Sequence, residues 1–329
     1  MLNNNFTLTR RPMEQSCWIP DVLAGFEQCT LSGFTAPDGP AACVLVRKRC
    51  ASPSAKAVLY IHGYVDYFFQ THLADFYNQN GLHFYALDLR RHGRAMQLHQ
   101  LPNYTSDIDE YLQDIDAAVP VLLGPENINW LLLSGHSTGG LVAALYAHRA
   151  AHRSALDAVL LNSPFLDMNL SAWQRRTLVP LLSAVGAWLP RLPLPIVTVV
   201  YGQSLHADHH GQWRYNTQWK PIAGFPVYAG WLRAIHRAHA EVAGGLSIQC
   251  PVLVLHAQRS TRLAHWSTDA MCADTVLDVA DIQRLSPALG PRIQVRAITG
   301  GMHDLTLSQA GPRAQAFSVL RQWLKELAG

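Results

Sequence analysis

Ser137 stands at the centre of Gly135-His136-Ser137-Thr138-Gly139-Gly140, after the apolar run Trp130-Leu131-Leu132-Leu133 and before the small-residue helical pattern Leu141-Val142-Ala143-Ala144-Leu145. A strand, a sharp turn and a helix in that order lift the central side chain out of a sheet, where a substrate can reach it as a nucleophile. The flanking glycines suit such a turn, because a neighbouring Cβ would collide with the strand or the helix. The plainer role, a glycine-bearing strand-to-helix turn with a capping serine, is outweighed by the strand before and the helix after.

A serine hydroxyl is a poor nucleophile at neutral pH, so it needs a base within hydrogen-bond reach and a third group to fix that base's tautomer. Among 16 histidines, His303 stands out in Gly300-Gly301-Met302-His303-Asp304, just past the last strand signal, where loops from strand carboxyl ends converge. In the chain order serine, acid, histidine, the acid should follow the strand signal Val252 to Leu255. Leu255-His256-Ala257-Gln258-Arg259-Ser260 offers no carboxylate there, which leaves Asp269, Asp274 and Asp278. Asp274 is favoured, because its stretch Ala273-Asp274-Thr275-Val276-Leu277-Asp278 directly precedes the helical pattern Val279 to Leu285, and an insertion from about Gln258 to Cys272 would restore the expected spacing. Asp278 is the runner-up; its other role, like that of Asp281, is a helix N-terminal acid. The oxyanion of a tetrahedral intermediate would take the backbone N–H of Thr138 and that of Tyr64, in the turn His62-Gly63-Tyr64.

These groups need a sheet to hold them. From about Ala41 to Phe165, short apolar strands (Cys43–Val46, Val58–Ile61, His83–Leu87, Trp130–Leu133, Ala158–Leu161) alternate with helical stretches near His72–Asn80, Asp107–Leu123 and Gly139–Ala150. The expected fold is α/β, with a mostly parallel central sheet flanked by helices. From about Asp167 to Gly245 the rhythm stops, and Trp173, Trp188, Trp213, Trp219 and Trp231 lie among prolines, glycines and histidines. Strand signals resume at Pro251–Leu255 and Ile293–Ile298, before a closing amphipathic helix around Ala314–Leu327. The later strands need the earlier sheet as a partner, so the chain divides into core residues 1–166, a helical insertion 167–246 and core residues 247–329.

Composition excludes several classes. A chain of 329 residues, 49% hydrophobic, can bury a large core. Its formal charge of +3 is spread out, with only short pairs such as Arg10-Arg11 and Arg90-Arg91, so a nucleic-acid partner is not expected. The six cysteines (Cys17, Cys29, Cys43, Cys50, Cys250, Cys272) form no Cys-x-x-Cys pair and read as reduced, mostly buried thiols. The start, Met1-Leu2-Asn3-Asn4-Asn5-Phe6, lacks a secretory layout, and the expected location is cytoplasmic. Leu178 to Tyr201 is about long enough to span a bilayer. Pro180, Pro190, Pro193, Pro195 and Arg191 interrupt it, which predicts short helices and turns and no stable membrane insertion. His206, Asp208, His209 and His210, and separately His236 and His239, lack a second ligand cluster; they read as solvent-facing, with no metal expected.

The pieces together resemble the alpha/beta hydrolase superfamily, and within it the monoacylglycerol lipase, lysophospholipase and serine aminopeptidase group, from about Ala41 onward. His62-Gly63-Tyr64 is similar to that group's oxyanion turn, Gly135 to Gly140 to its elbow and Gly301-Met302-His303 to its histidine loop. Asp88-Leu89-Arg90-Arg91-His92-Gly93-Arg94 resembles its Asp-x-Arg-Gly-His-Gly-x-Ser segment, with Arg91 where the group has Gly and Ala95 where it usually has Ser. Ser260 stands where the family usually has its aspartate. The resemblance implies a helical cap at 167–245 and a cofactor-free serine hydrolase of carboxylic esters, acting on a small-molecule ester with an apolar acyl or aryl group. A peptidase, amidase or acyltransferase using the same triad, or an inactive binding protein on this fold, is the alternative. The oligomeric state is not encoded in these features.

Overall fold

The computed structural model describes residues 18–36, 38–194 and 199–327. Met1–Phe6, Arg10-Arg11, Cys17 and Pro195, on which some of the expectations above fall, lie outside them. Among the described residues a nine-stranded sheet runs in the order β1-β2-β3-β5-β4-β6-β7-β10-β11. Its strands are β1 (Ile19–Pro20), β2 (Glu27–Ala36), β3 (Gly39–Lys48), β4 (Lys56–Ile61), β5 (His83–Asp88), β6 (Trp130–His136), β7 (Ala158–Asn162), β10 (Val252–Ala257) and β11 (Ile293–Ile298). From β5 to β11 every pairing is parallel, while β1, β2 and β3 form an antiparallel edge. Parallel strands covered on both faces read as unbroken apolar runs. In β6, Leu131 and Leu133 face one core layer with α2 (Asp109–Leu123) and α3 (Thr138–Arg149). Leu132 faces the other, with α1 (Thr71–Gln79) and α8 (Ala310–Glu326).

The order of the strands brings β7 and β10 side by side although residues 163–251 separate them, with Val252 opposite Val159 and Leu255 opposite Asn162. Between them lie α4 (Ala172–Trp188), β8 (Pro193–Leu194), α5 (Val200–Leu205), β9 (Val227–Tyr228) and α6 (Ala229–Ala243), β8 pairing with β9. One detail departs from the sequence expectation: Pro180 lies inside α4 and does not break it. A Ser171–Gln174 capping box starts this helix, and Gly186 packs so close to α6 that a Cβ would stand 2.2 Å from the Ala229 carbonyl oxygen. That anchoring offsets the one hydrogen bond a proline removes. Among the described residues, no helix is long and apolar enough to cross a membrane. After β10, the short helix α7 (Val279–Leu285) precedes β11. Cys43 and Cys50 are buried thiols, and Cys250 and Cys272 half-buried ones.

Candidate active site

Ser137 occupies the sharp junction between β6 and α3 with φ 53° and ψ −118°. A non-glycine residue there costs about 1–3 kcal/mol and persists only where its surroundings fix it. Here the Ser137 N–H donates to the Asn162 carbonyl (3.0 Å), and its own carbonyl accepts from Phe165 (3.0 Å) and Gly140 (2.9 Å). The glycines are steric necessities. A Cβ at Gly135 would lie 2.2 Å from Gly139 O, one at Gly139 2.3 Å from His62 O, and one at Gly140 2.9 Å from Pro164 Cα.

His303, in the loop after β11, brings Nε2 to 2.9 Å from Ser137 Oγ, and its Nδ1 stands 2.9 Å from Asp274 Oδ2. The tautomer consistent with both contacts carries its proton on Nδ1, donated to the carboxylate, and leaves Nε2 to accept from the serine hydroxyl. Asp274 is fully buried. Its other oxygen accepts from the N–H groups of Val276 and Leu277, both at 2.8 Å. Asp304 braces the histidine loop: Oδ1 takes hydrogen bonds from Thr306 N–H and from Asn162 Nδ2 (2.9 and 2.8 Å). Burial pushes the Asp304 carboxyl up, but the nearby His136 and these hydrogen bonds outweigh it and hold its pKa below the ordinary value. Asn162 thus ties the serine's backbone and the histidine's loop to one residue of β7. His136, 4.8 Å from the His303 ring, is driven below its ordinary pKa by burial.

Ser260 and Asp274 are neighbours in space. They form a parallel bridge, with Thr261 N–H donating to Asp274 O and Asp274 N–H to Arg259 O (2.8 and 3.0 Å), so the chain leaves and returns to one point. Ser260 Oγ accepts from Val279 N–H (2.7 Å) at the start of α7. Asp278 caps α7 through Ala280 N–H, Asp281 pairs with Arg175 and Arg284 from its first turn, and Asp269 pairs with Arg259 on the surface. Neither Asp278 nor Asp269 hydrogen-bonds to His303.

Thr138 opens α3, so its N–H is one of the first-turn donors that lack an intrahelical acceptor. The turn after β4 abuts the serine: a Cβ at Gly63 would stand 3.1 Å from Ser137 Cβ. His62 pins that turn, donating from Nδ1 to Gly63 O (2.8 Å) and accepting at Nε2 from Leu89 N–H (3.1 Å). The segment resembling Asp-x-Arg-Gly-His-Gly supports it from behind. Arg91 has φ 65°, which a glycine adopts freely. Here the arginine is held by Asp38 and Glu110 (both 2.7 Å). Beside it Arg90 and Asp114 form a buried ion pair at 2.7 Å.

The stretch between β7 and β10 covers these groups. Tyr201 packs edge-on against His303 at 5.3 Å, and Trp231 lies 4.4 Å from the Tyr64 ring, whose hydroxyl donates to Pro226 O. Ser137 is left 8% exposed and His303 2%. One expectation for this stretch needs correction. His206 and His239 are buried rather than solvent-facing. The His206 ring stands edge-on to Tyr215 at 4.8 Å, and His239 donates from Nε2 to Phe165 O at 2.8 Å. Trp173 and Trp188 are exposed to solvent. Among the described residues no three His, Cys, Asp or Glu side chains converge as metal ligands would. The sequence reading also missed Lys220, buried against Asp66 at 2.7 Å.

A family model described as serine aminopeptidase, S33, matches residues 52–309, well over half of the chain. The chain belongs to this family of alpha/beta hydrolases. Solved structures share the fold at low identity. A soluble variant of monoglyceride lipase from Saccharomyces cerevisiae, bound to a substrate analogue, is 15% identical with a TM-score of 0.66, over 91% of this chain and 96% of that one. A putative aryl esterase from Burkholderia cenocepacia is 18% identical with a TM-score of 0.57, over 92% and 99%. Mouse alpha/beta hydrolase domain-containing protein 10 is 14% identical with a TM-score of 0.55, over 91% and 99%. No curated protein matches in sequence.

Proposed function

We propose that the protein is a serine hydrolase of carboxylic esters, working through an acyl-enzyme. The observation that carries this reading is the pair of 2.9 Å hydrogen bonds that joins Ser137 Oγ to His303 and His303 to Asp274. Ser137 attacks the ester carbonyl while His303 Nε2 takes its proton, and Asp274 orients and stabilises the imidazolium. The N–H groups of Thr138 and Tyr64 hold the oxyanion. His303 then returns the proton to the leaving alcohol, and a water activated by the same nitrogen releases the acid.

Residues 167–246 act as a cap in this reading. Tyr201 and Trp231 stand over His303 and Tyr64, an apolar cover that suits an acyl or aryl group and keeps bulk water from the carbonyl. A monoglyceride lipase and a putative aryl esterase are among the proteins that share this fold, which agrees with an ester substrate under that cover. An aminopeptidase needs a carboxylate for the substrate's ammonium, and Asp66, in the oxyanion turn, is already neutralised by Lys220.

A fluorophosphonate should label the wild-type protein and leave Ser137→Ala unlabelled. Turnover should be measured across aryl esters of rising chain length, monoacylglycerols and aminoacyl amides. Esters turned over and amides left intact is the expected result. Absence of labelling in both proteins, or a preference for aminoacyl amides, would overturn the reading.

A further inference from the structure

Lys220 is the only lysine between residues 167 and 245. It is nearly as buried as its partner Asp66, and an ammonium in such a place is unfavourable unless it is paired and fully hydrogen-bonded. Its Nζ donates to Asp66 Oδ1 at 2.7 Å and to Val65 O at 3.3 Å. The rings of Phe69, Tyr201 and Tyr215 stand around it, each centroid 5.8–6.0 Å from Nζ, within cation–π range.

Both acceptors belong to the turn that carries Tyr64. Val65 has φ 49°, and a β-branched residue in that region is strained and needs outside contacts to hold it. Lys220 supplies such contacts from a distant part of the chain, bonding Val65 at its carbonyl and the next residue at its carboxylate. Tyr201, which flanks the ammonium, is the same side chain that packs on His303.

We infer that Lys220 is a positioning residue, a clamp by which the stretch between β7 and β10 holds the strained turn so that the Tyr64 N–H faces an oxyanion formed at Ser137. This rests on the reading of Tyr64 as an oxyanion donor. Its consequence is that catalytic competence depends on that stretch being seated, because the clamp leaves with it. A donor engaged mainly in the transition state affects kcat, whereas a residue that only shapes the pocket affects KM.

The test compares full-length wild type with Lys220→Met, Lys220→Arg and the double variant Asp66→Asn/Lys220→Met, by aryl ester kinetics, rate of fluorophosphonate labelling and thermal melting. Met keeps the stem without the charge, and the double variant leaves no carboxylate buried without its partner. Lys220→Met and the double variant should lose about 100-fold in kcat with KM little changed, the scale of a small misplacement at the reacting centre. Lys220→Arg should recover part of that loss. If Lys220→Met does not fold, the double variant decides. A folded variant with wild-type kcat, or an effect confined to KM, overturns the clamp while labelling of wild type keeps the serine hydrolase reading intact. Absence of labelling in wild type overturns both.

Discussion

At the scale of single residues, Asp274 divides its work between its two oxygens. One accepts from the N–H groups of Val276 and Leu277, which fixes the carboxylate's orientation; the other is left for His303. Asp274→Asn should therefore fold normally and lose about 10³–10⁴-fold in kcat, the scale seen when a triad acid is made an amide. Asp278→Asn should keep its activity, and since asparagine caps a helix as well as aspartate, its stability should change by less than about 1 kcal/mol. Kinetics on an aryl ester together with melting curves check both. If Asp278→Asn is the inactive one, the acid is misassigned. Ser137 and His303 were legible in the sequence because each sits in a short run whose glycines announce its geometry. Which carboxylate would face His303 was ambiguous because spacing along the chain counts residues, whereas the backbone bridge at Ser260 and Asp274 returns the chain to where it left.

Among the elements, the strands buried on both faces were the most legible, since Val58 to Ile61 and Leu131 to Leu133 have no polar alternation to confuse them. The edge was not: β2 (Glu27–Ala36) is largely half-buried or exposed, carries Gly33 at a register shift against β3, and shows no clean period. The link between β6, α3 and the turn after β4 makes one element-scale prediction. A methyl group at position 139 would lie 2.3 Å from His62 O and 2.4 Å from Ile61 O, both backbone atoms that cannot step aside alone. Gly139→Ala should cost about 1–3 kcal/mol of stability as overpacking. It should also lower kcat more than the fraction unfolded explains, because the atoms displaced belong to the turn that carries Tyr64. Urea titration and kinetics on the same preparation separate the two effects; activity in proportion to folded protein would show that the turn had not moved. The ion pair between Arg90 and Asp114 makes another. Asp114→Ala leaves a buried guanidinium without its partner and should cost about 3–5 kcal/mol in the same titration.

For the molecule as a whole, the decisive relation is how the stretch between β7 and β10 seats on the sheet. No local pattern gave it away: Lys220, Tyr201 and His239 look like surface residues until the fold brings Asp66, His303 and Phe165 against them. His239, on α6, donates to the Phe165 carbonyl, and the Phe165 N–H donates to the Ser137 carbonyl, so the backbone of one residue joins this helix to the turn that holds Ser137. Burial, only partly offset by that hydrogen bond, takes the His239 pKa down to about 4. In the unfolded chain it lies near 6.5. Below that value the unfolded state binds a proton that the folded state refuses, so the stabilisation is complete above pH 6.5 and is lost as the pH falls towards 4. Over that interval the linkage amounts to about 3 kcal/mol. His239→Leu removes the titration together with one hydrogen bond, and the lost bond costs the same at every pH. The stability advantage of wild type over His239→Leu, measured in urea, should therefore shrink by about 2–3 kcal/mol between pH 7 and 4.5. The other buried histidines, such as His92 and His136, titrate alike in both proteins and cancel. An advantage that stays constant with pH would mean that α6 keeps its seat on Phe165 when the imidazole is charged.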